Sequence, residues 1–241
     1  FIMKIIFQKF LNLFGYKISL IKKNNIKNFD DILKKIFKQS NLNIIDIGAN
    51  TGQSINRFIK LFDKSRIYSI EPSKYAYYKL KKNYNNKKNL FLYNCAVGDK
   101  NQKKFFFDYK DNVLSSFHKL NKQNRLKNKF NKQIVNVLTL DYFCKKHKLE
   151  NVHILKIDTQ GNETKVLQGG RKSISKGIFN IIELEIIMGD YYEKYSNFYE
   201  IEKNLVNNYR LIALDKRINF FNDKRLYCNA LYLRKDLYKK L

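Results

Sequence analysis

Three hydrophobic patterns follow one another along the chain. At the start, Met3, Ile6, Phe7, Phe10, Leu13 and Phe14 recur at helical spacing, with Lys4, Gln8 and Asn12 on another side, which predicts an amphipathic helix. Asp30 to Phe37 predicts a second helix, closing an N-terminal helical appendage over residues 1–40. From Asn43 the pattern changes to short, strongly apolar runs bounded by turn residues: Asn43 to Ile47, Arg66 to Glu71, Leu90 to Val97, Val152 to Ile157 and Phe179 to Ile187. Helical stretches separate them, one over Ser54 to Leu61 and one rich in Tyr and Lys after Pro72. Tyr209 to Asp215 and Leu226 to Arg234 read as a terminal antiparallel pair, with Ile218 to Lys224 as its turn. The expected architecture is α/β: one doubly wound, Rossmann-like domain over residues 41–241, with seven mostly parallel strands and the last antiparallel. Phe105 to Val137 interrupts the alternation and predicts a hairpin with a Lys/Asn-rich excursion.

Charge changes the picture less than its size suggests. Among 241 residues, 48 Lys and Arg stand against 21 Asp and Glu, a formal net charge of +27. Such an excess suits nucleic acid or anionic lipid. No basic run is long, however, and Lys alternates with Asn throughout, the mix an A/T-rich genome encodes, so solvated faces account for the charge as well as an anionic partner does. A single proline, Pro72, and nine glycines exclude collagen-like and linker-dominated classes. Cys95, Cys144 and Cys228 are far apart, and the three histidines have no metal-like spacing, so neither a disulfide framework nor a zinc site is expected. A reducing, cytoplasmic compartment fits. Lys4, Gln8, Lys9, Asn12 and Lys17 break every stretch that could span a bilayer. The first helix is therefore expected to pack on the domain, the alternative being a foot on the anionic inner membrane surface.

The chemistry concentrates at Ile44-Ile-Asp-Ile-Gly-Ala-Asn-Thr-Gly-Gln53, where a strand meets a turn of small residues and then a helix. A dinucleotide fingerprint needs Gly-x-Gly-x-x-Gly, but Asp46, Gly48, Asn50 and Gly52 fall at every second position. That order resembles the first motif of class I methyltransferases, with Asn50 in a glycine position that Asn tolerates well. Gly48, Ala49, Asn50 and Gly52 would bring the turn backbone against S-adenosylmethionine, and Asp46 would meet its amino acid end directly or through water. Glu71 ends the second strand 25 residues after Asp46, where Pro72 keeps it out of helical geometry, and suits ribose hydroxyls. Asp99, ending the third strand, would face the adenine.

Four blocks carry a more specific resemblance: Ile45–Gln53, Ile70-Glu-Pro72, Ala96-Val-Gly-Asp99 with Leu138-Thr-Leu-Asp141, and Leu155-Lys-Ile-Asp-Thr-Gln-Gly-Asn-Glu163. The chain resembles the FkbM-type S-adenosylmethionine-dependent methyltransferases from Asn43 to about Glu185. The resemblance implies O-methylation of a hydroxyl on a sugar or another natural product, a cell-surface glycan or glycolipid precursor being favoured. Gln160 stands where the family usually has Glu and takes no acid's role. Lys156 and Asp158, two apart, point to one face near the end of the fourth strand, where a buried ammonium must meet a carboxylate or a ligand. Asp158, Glu163 or Glu185 is the candidate base for the acceptor's proton, with a purely structural cluster around Lys156 as the alternative. No metal ligand is assigned; a divalent cation among these acids is the less favoured reading.

Acceptor contacts are expected from Ser115, Ser116 and His118 in Leu114-Ser-Ser-Phe-His118, and from Tyr191 and Tyr192. The helical spacing of Tyr192, Tyr195 and Tyr199 favours plain helix packing over that role. The rival function is a nucleic acid methyltransferase, including ribose 2′-O-methylation, argued from the charge. With one proline, followed by Ser73, neither Asp/Asn-Pro-Pro-aromatic nor Pro-Cys chemistry can be built.

Overall fold

In a computed structural model, described for residues 28–189, 192–215 and 227–239, the apolar runs become strands for the expected reason. They alternate between two buried faces. The central sheet holds β1 (Asn43–Ile47), β2 (Arg66–Ile70), β3 (Leu90–Tyr93), β7 (Val152–Ile157), β8 (Phe179–Ile187), β9 (Tyr209–Leu214) and β10 (Tyr227–Arg234). Its order is β3-β2-β1-β7-β8-β10-β9; the first five strands are parallel and β10 is antiparallel to both neighbours.

On one face, Ile45 and Ile47, Leu155 and Ile157, and Ile182 and Leu184 pack on α5 (Leu140–Lys146), α6 (Glu163–Gly169), α7 (Arg171–Ser175) and α8 (Phe198–Leu205). On the other, Ile44, Ile154 and Ile181 meet α1 (Phe29–Ile36), α2 (Gln53–Leu61) and α3 (Lys74–Tyr84). The parity that puts Ile44, Ile154 and Ile181 on that second face also puts Asp46, Lys156, Glu183 and Glu185 there, toward the strands' carboxyl ends. A sheet covered on both faces can carry polar groups only where its strands run out, and that is where they stand.

The structure corrects two expectations. Residues 28–40, the described part of the N-terminal segment, pack on the domain, with Leu33 and Phe37 buried in the same cluster as Ile44, Phe58 and Leu231. The amphipathic helix over Met3 to Phe14 and the turn at Ile218 to Lys224 lie outside the described residues. Leu90 to Val97 is two strands, because the chain turns at Asn94, whose amide donates to the Glu71 and Pro72 carbonyls. The second of them, β4 (Ala96–Gly98), joins a separate sheet in the order β4-β6-β5, with β5 (Gln102–Tyr109) and β6 (Phe130–Thr139), the expected hairpin; α4 (Lys122–Lys127) lies between them. Finally, no helix covers Tyr192 to Tyr195. Asn197 and Glu200 form a reciprocal capping box that starts α8 at Phe198, leaving Tyr192 buried in a bridge to Leu120. Among the described residues no helix is long and apolar enough to cross a membrane, and all three cysteines are buried and free.

Candidate active site

The β1 exit is built from backbone. Gly48, Asn50 and Gly52 have φ of 83°, 50° and 105°, so each second residue of the turn is left-handed, Asn50 included. This curl aims the Gly48 and Ala49 N–H groups at the Ile70 carbonyl (2.9 and 3.1 Å) and the Asn50 N–H at Glu71 Oε2 (2.8 Å). Glu71 Oε1 accepts from the Ser73 N–H at 2.8 Å. Burial nevertheless dominates, raising the Glu71 carboxyl to about 7. Gly48 has no room for a side chain: a Cβ there would lie 1.8 Å from the Asp158 carbonyl oxygen.

Beneath the turn is a charge cluster. Asp46 is fully buried; its Oδ2 accepts from Ser54 Oγ, and its Oδ1, 3.7 Å from Lys156 Nζ, has no hydrogen bond. Burial raises the Asp46 pKa against the opposing pull of Lys156 and Ser54. Burial also disfavours the Lys156 ammonium, but Asp158, at 3.1 Å, together with Asp46 and Glu183 outweighs it and holds the lysine protonated. Glu183, the register partner of Lys156, is taken by Arg57 at 2.6 Å, and Arg57 also reaches Asp30 at 2.6 Å.

The strand-four motif forms a second curl. Gln160, at φ 54°, donates its two amide protons to Asp158 Oδ1 (2.9 Å) and Glu185 Oε2 (2.7 Å), and its Oε1 lies 2.9 Å from the Tyr192 hydroxyl. A carboxylate at this position could make neither donation without a proton. Burial, then the nearby Asp158 and Glu163, raise the Glu185 pKa well above the carboxylate range. Glu163 is fully buried, and its Oε1 accepts from the Thr159 N–H, the Thr159 hydroxyl and the Gly161 N–H. It shapes the loop, and burial raises its carboxyl to about 7.

One cavity of about 1060 Å³ opens over these groups at the carboxyl edge of the sheet. Among the described residues its wall carries Gly48, Ala49, Asn50, Glu71, Lys156, Asp158 and Ser115 of the residues anticipated from sequence. The others stand elsewhere. Asp46 lies below the floor, Gly52 faces Tyr84, and Glu163 and Glu185 sit behind the loop. Asp99 is away from the wall, where Lys165 pairs with it at 3.0 Å. Ser116 is buried, donating to the Gln160 carbonyl at 2.6 Å. His118 lines a separate small hollow, and burial together with Lys104, Lys194 and Lys165 lowers its imidazole to about 4. Tyr192 is off the wall, its hydroxyl turned to Gln160 Oε1 and the Leu114 carbonyl; Tyr191 lies outside the described residues.

The wall also holds residues that sequence reading missed: Arg57, Asn112, Phe106, Phe117 and Asn229. Asn112 bonds the Asn50 side chain, and Asp108 receives the hydroxyls of both Ser73 and Ser115 (2.9 and 3.0 Å), so the small sheet is tied onto the turn. The one available signal was Arg57 on a face of α2 otherwise occupied by Ser54, Ile55 and Phe58.

The family model described as the methyltransferase FkbM domain matches residues 46–211, from the buried aspartate of β1 into β9. The chain belongs to the FkbM methyltransferase family. This FkbM domain is 29% identical over 147 residues to the 2-O-methyltransferase NoeI of Sinorhizobium fredii (strain NBRC 101917 / NGR234), covering 56% of the chain and 60% of that relative. A solved FkbM methyltransferase from Methylobacillus flagellatus KT superposes with a TM-score of 0.55 at 15% identity, over 89% of this chain and 46% of the other. A putative rRNA methylase from Clostridium thermocellum superposes with a TM-score of 0.50 at 12% identity, over 89% and 98%. These likenesses show the Rossmann-like methyltransferase fold. The chain thus spans about 60% of the curated relative's length and less than half of the FkbM structure's.

Proposed function

We propose that this FkbM domain is an S-adenosylmethionine-dependent O-methyltransferase acting on a hydroxyl of an uncharged saccharide. One observation carries the reading: in a chain of net charge +27, the described residues of the cavity wall include five acids, Asp30, Glu71, Asp158, Glu183 and Asp215, against two cations, Arg57 and Lys156. Both cations are already paired with acids. An acid-rich pocket repels phosphate and suits a ligand with a sulfonium and an ammonium group.

The residues fit that cofactor. Gly48 leaves backbone instead of side chain on the wall, Glu71 keeps lone pairs free for hydroxyls beyond its two N–H bonds, and Phe106 and Val97 offer apolar surface for a base. S-adenosylmethionine, when bound there, supplies an electrophilic methyl group. Asp158 is the carboxylate on the wall beside the Gly48 turn, so it is the group placed to take the proton of an acceptor hydroxyl. Lys156 and Gln160 fix its two oxygens, and Lys156 balances its charge. Asp46, Glu163 and Glu185 position these groups without reaching the cavity. The expected cytoplasmic location belongs to the same proposal.

Titration calorimetry with S-adenosylhomocysteine, then release of that product in the presence of neutral oligosaccharides or RNA, tests it. Micromolar product binding, turnover on the sugar and loss of turnover in Asp158→Asn with binding retained are expected. No product binding, or turnover on RNA alone, refutes it.

A further inference from the structure

The cavity has a second arm, between α1 and the β8–β10–β9 side of the sheet, that the glycine turn does not use. Its polar side comes from three distant segments. Arg57 of α2 is held between Asp30 of α1 and Glu183 of β8, both at 2.6 Å, which fixes the guanidinium plane. Glu183 is only 4% exposed; its Oε1 is used by Arg57, and its Oε2 is buried with no hydrogen-bond partner. A buried carboxylate oxygen left without a donor is rare, and here it belongs to a residue of the cavity wall. Asn229 adds an amide that donates to Asp215 at 3.1 Å. Facing these groups, Phe29, Ile32 and Ile212 supply an apolar side.

We propose that this arm is the acceptor subsite, that it takes one uncharged pyranose ring, and that Glu183 Oε2 receives a ring hydroxyl. The proposal rests on the O-methyltransferase reading above and names where its substrate sits. A pyranose has what the arm lacks: hydroxyl donors on its edge for Glu183 and Asn229, and a C–H face for Phe29 and Ile212. Phosphorylated and carboxylated sugars are disfavoured, because Asp30, Glu183 and Asp215 face them and, among the described residues, the arm's one cation, Arg57, is already doubly paired. Glu183 is the register neighbour of Lys156, whose ammonium is 3.1 Å from Asp158. Asp158 lies two residues beyond Lys156, so one strand spacing of about 4.8 Å and about 6.6 Å along the strand separate the ring's anchor from the proton acceptor, a span that a hydroxyl on the far side of the same ring can bridge.

Saturation-transfer NMR on the full chain loaded with S-adenosylhomocysteine tests this, using neutral methyl hexopyranosides and hexose 6-phosphates as probes. Two variants separate fold from site. Ile212→Trp fills the arm from its apolar side, and Glu183→Gln turns the free acceptor oxygen into a donor while keeping the side chain's shape. Neutral glycosides are expected to bind and the 6-phosphates to fail. Glycoside binding should vanish in Ile212→Trp and weaken about fivefold in Glu183→Gln, as a charged hydrogen bond becomes a neutral one. Product affinity should stay within about twofold of the unmodified chain in Ile212→Trp, since that side chain lies away from the glycine turn and the charge cluster beneath it. No glycoside binding to the loaded chain, equal binding of the 6-phosphates, or unchanged glycoside binding in both variants overturns the subsite. Failure of the underlying reading is a different result, the absence of S-adenosylhomocysteine binding to the unmodified chain.

Discussion

Gly48→Ala measures how tightly the glycine turn is pressed against the neighbouring strand exit. The added Cβ would lie 1.8 Å from the Asp158 carbonyl oxygen, and about 3.0 Å is the closest such contact proteins tolerate, so the ends of β1 and β7 must part by about 1.2 Å. That opening stretches the Asp158 N–H bond to the Ile47 carbonyl, 2.9 Å in the intact chain. The lost hydrogen bond costs about 1 kcal/mol. Overpacking adds about 1–3 kcal/mol, and a left-handed alanine at φ 83° about 1–2 kcal/mol more. The sum, about 3–6 kcal/mol, is comparable with the whole stability of many domains. Gly52→Ala is the control: its φ of 105° carries the same backbone cost, but its Cβ meets the far end of the Tyr84 ring, which can turn away at the loss of a 3.0 Å bond to the Gly52 carbonyl. Urea unfolding read by linear extrapolation should place Gly48→Ala below Gly52→Ala by about 1–3 kcal/mol. Equal stabilities, or a Gly48→Ala loss under about 1 kcal/mol, would refute the close approach.

Three further outcomes follow from burial. Glu71 is raised to about 7 and accepts hydroxyls best when ionised, so affinity for S-adenosylhomocysteine should fall about tenfold from pH 8 to pH 6, and Glu71→Gln should flatten that profile; a steep profile in the variant points to another group. Glu163 binds its proton more tightly folded, at about 7, than unfolded, so the stability it adds below about pH 4.5 is lost as pH rises through 7, on the order of 3 kcal/mol. Chemical unfolding of Glu163→Gln between pH 5 and pH 8 should lack that share, and an unchanged pH slope defeats the assignment. Leu33→Ala should lower stability by about 2–5 kcal/mol, read as a single cooperative melt; a loss near zero would mean that α1 docks independently of the core.

What the sequence made legible was whatever one segment specifies alone. Parallel strands buried on both faces must be apolar runs, so β1, β2, β7 and β8 could be read directly, and the acids at their exits stood out as exceptions needing partners. The left-handed positions at Gly48, Asn50 and Gly52 were equally local. The misreadings arose where tertiary pairing decides. Leu90 to Val97 is one apolar run, yet Asn94 turns it and β4 finds its partner in β6, about 40 residues on. Asp99 was placed by analogy with strand ends, but Lys165 of α6 reaches it first. Arg57, Asp30 and Glu183 meet across 27 and 126 residues of sequence, and no periodicity announces such an encounter.

The disagreement between the whole chain's charge and the cavity's has a physical resolution. At physiological salt, charges farther than about 8 Å from a ligand are largely screened, so the lysines spread along α3 and the small sheet set solubility and the approach to large anionic surfaces, not what the pocket holds. Inside, Lys156 and Arg57 are each surrounded by more than one carboxylate, and their charge is spent before any ligand arrives. The fold therefore separates two functions of charge that composition adds together. The +27 belongs to the chain as a whole, whereas the described residues of the cavity wall set five acids against two cations that are already paired.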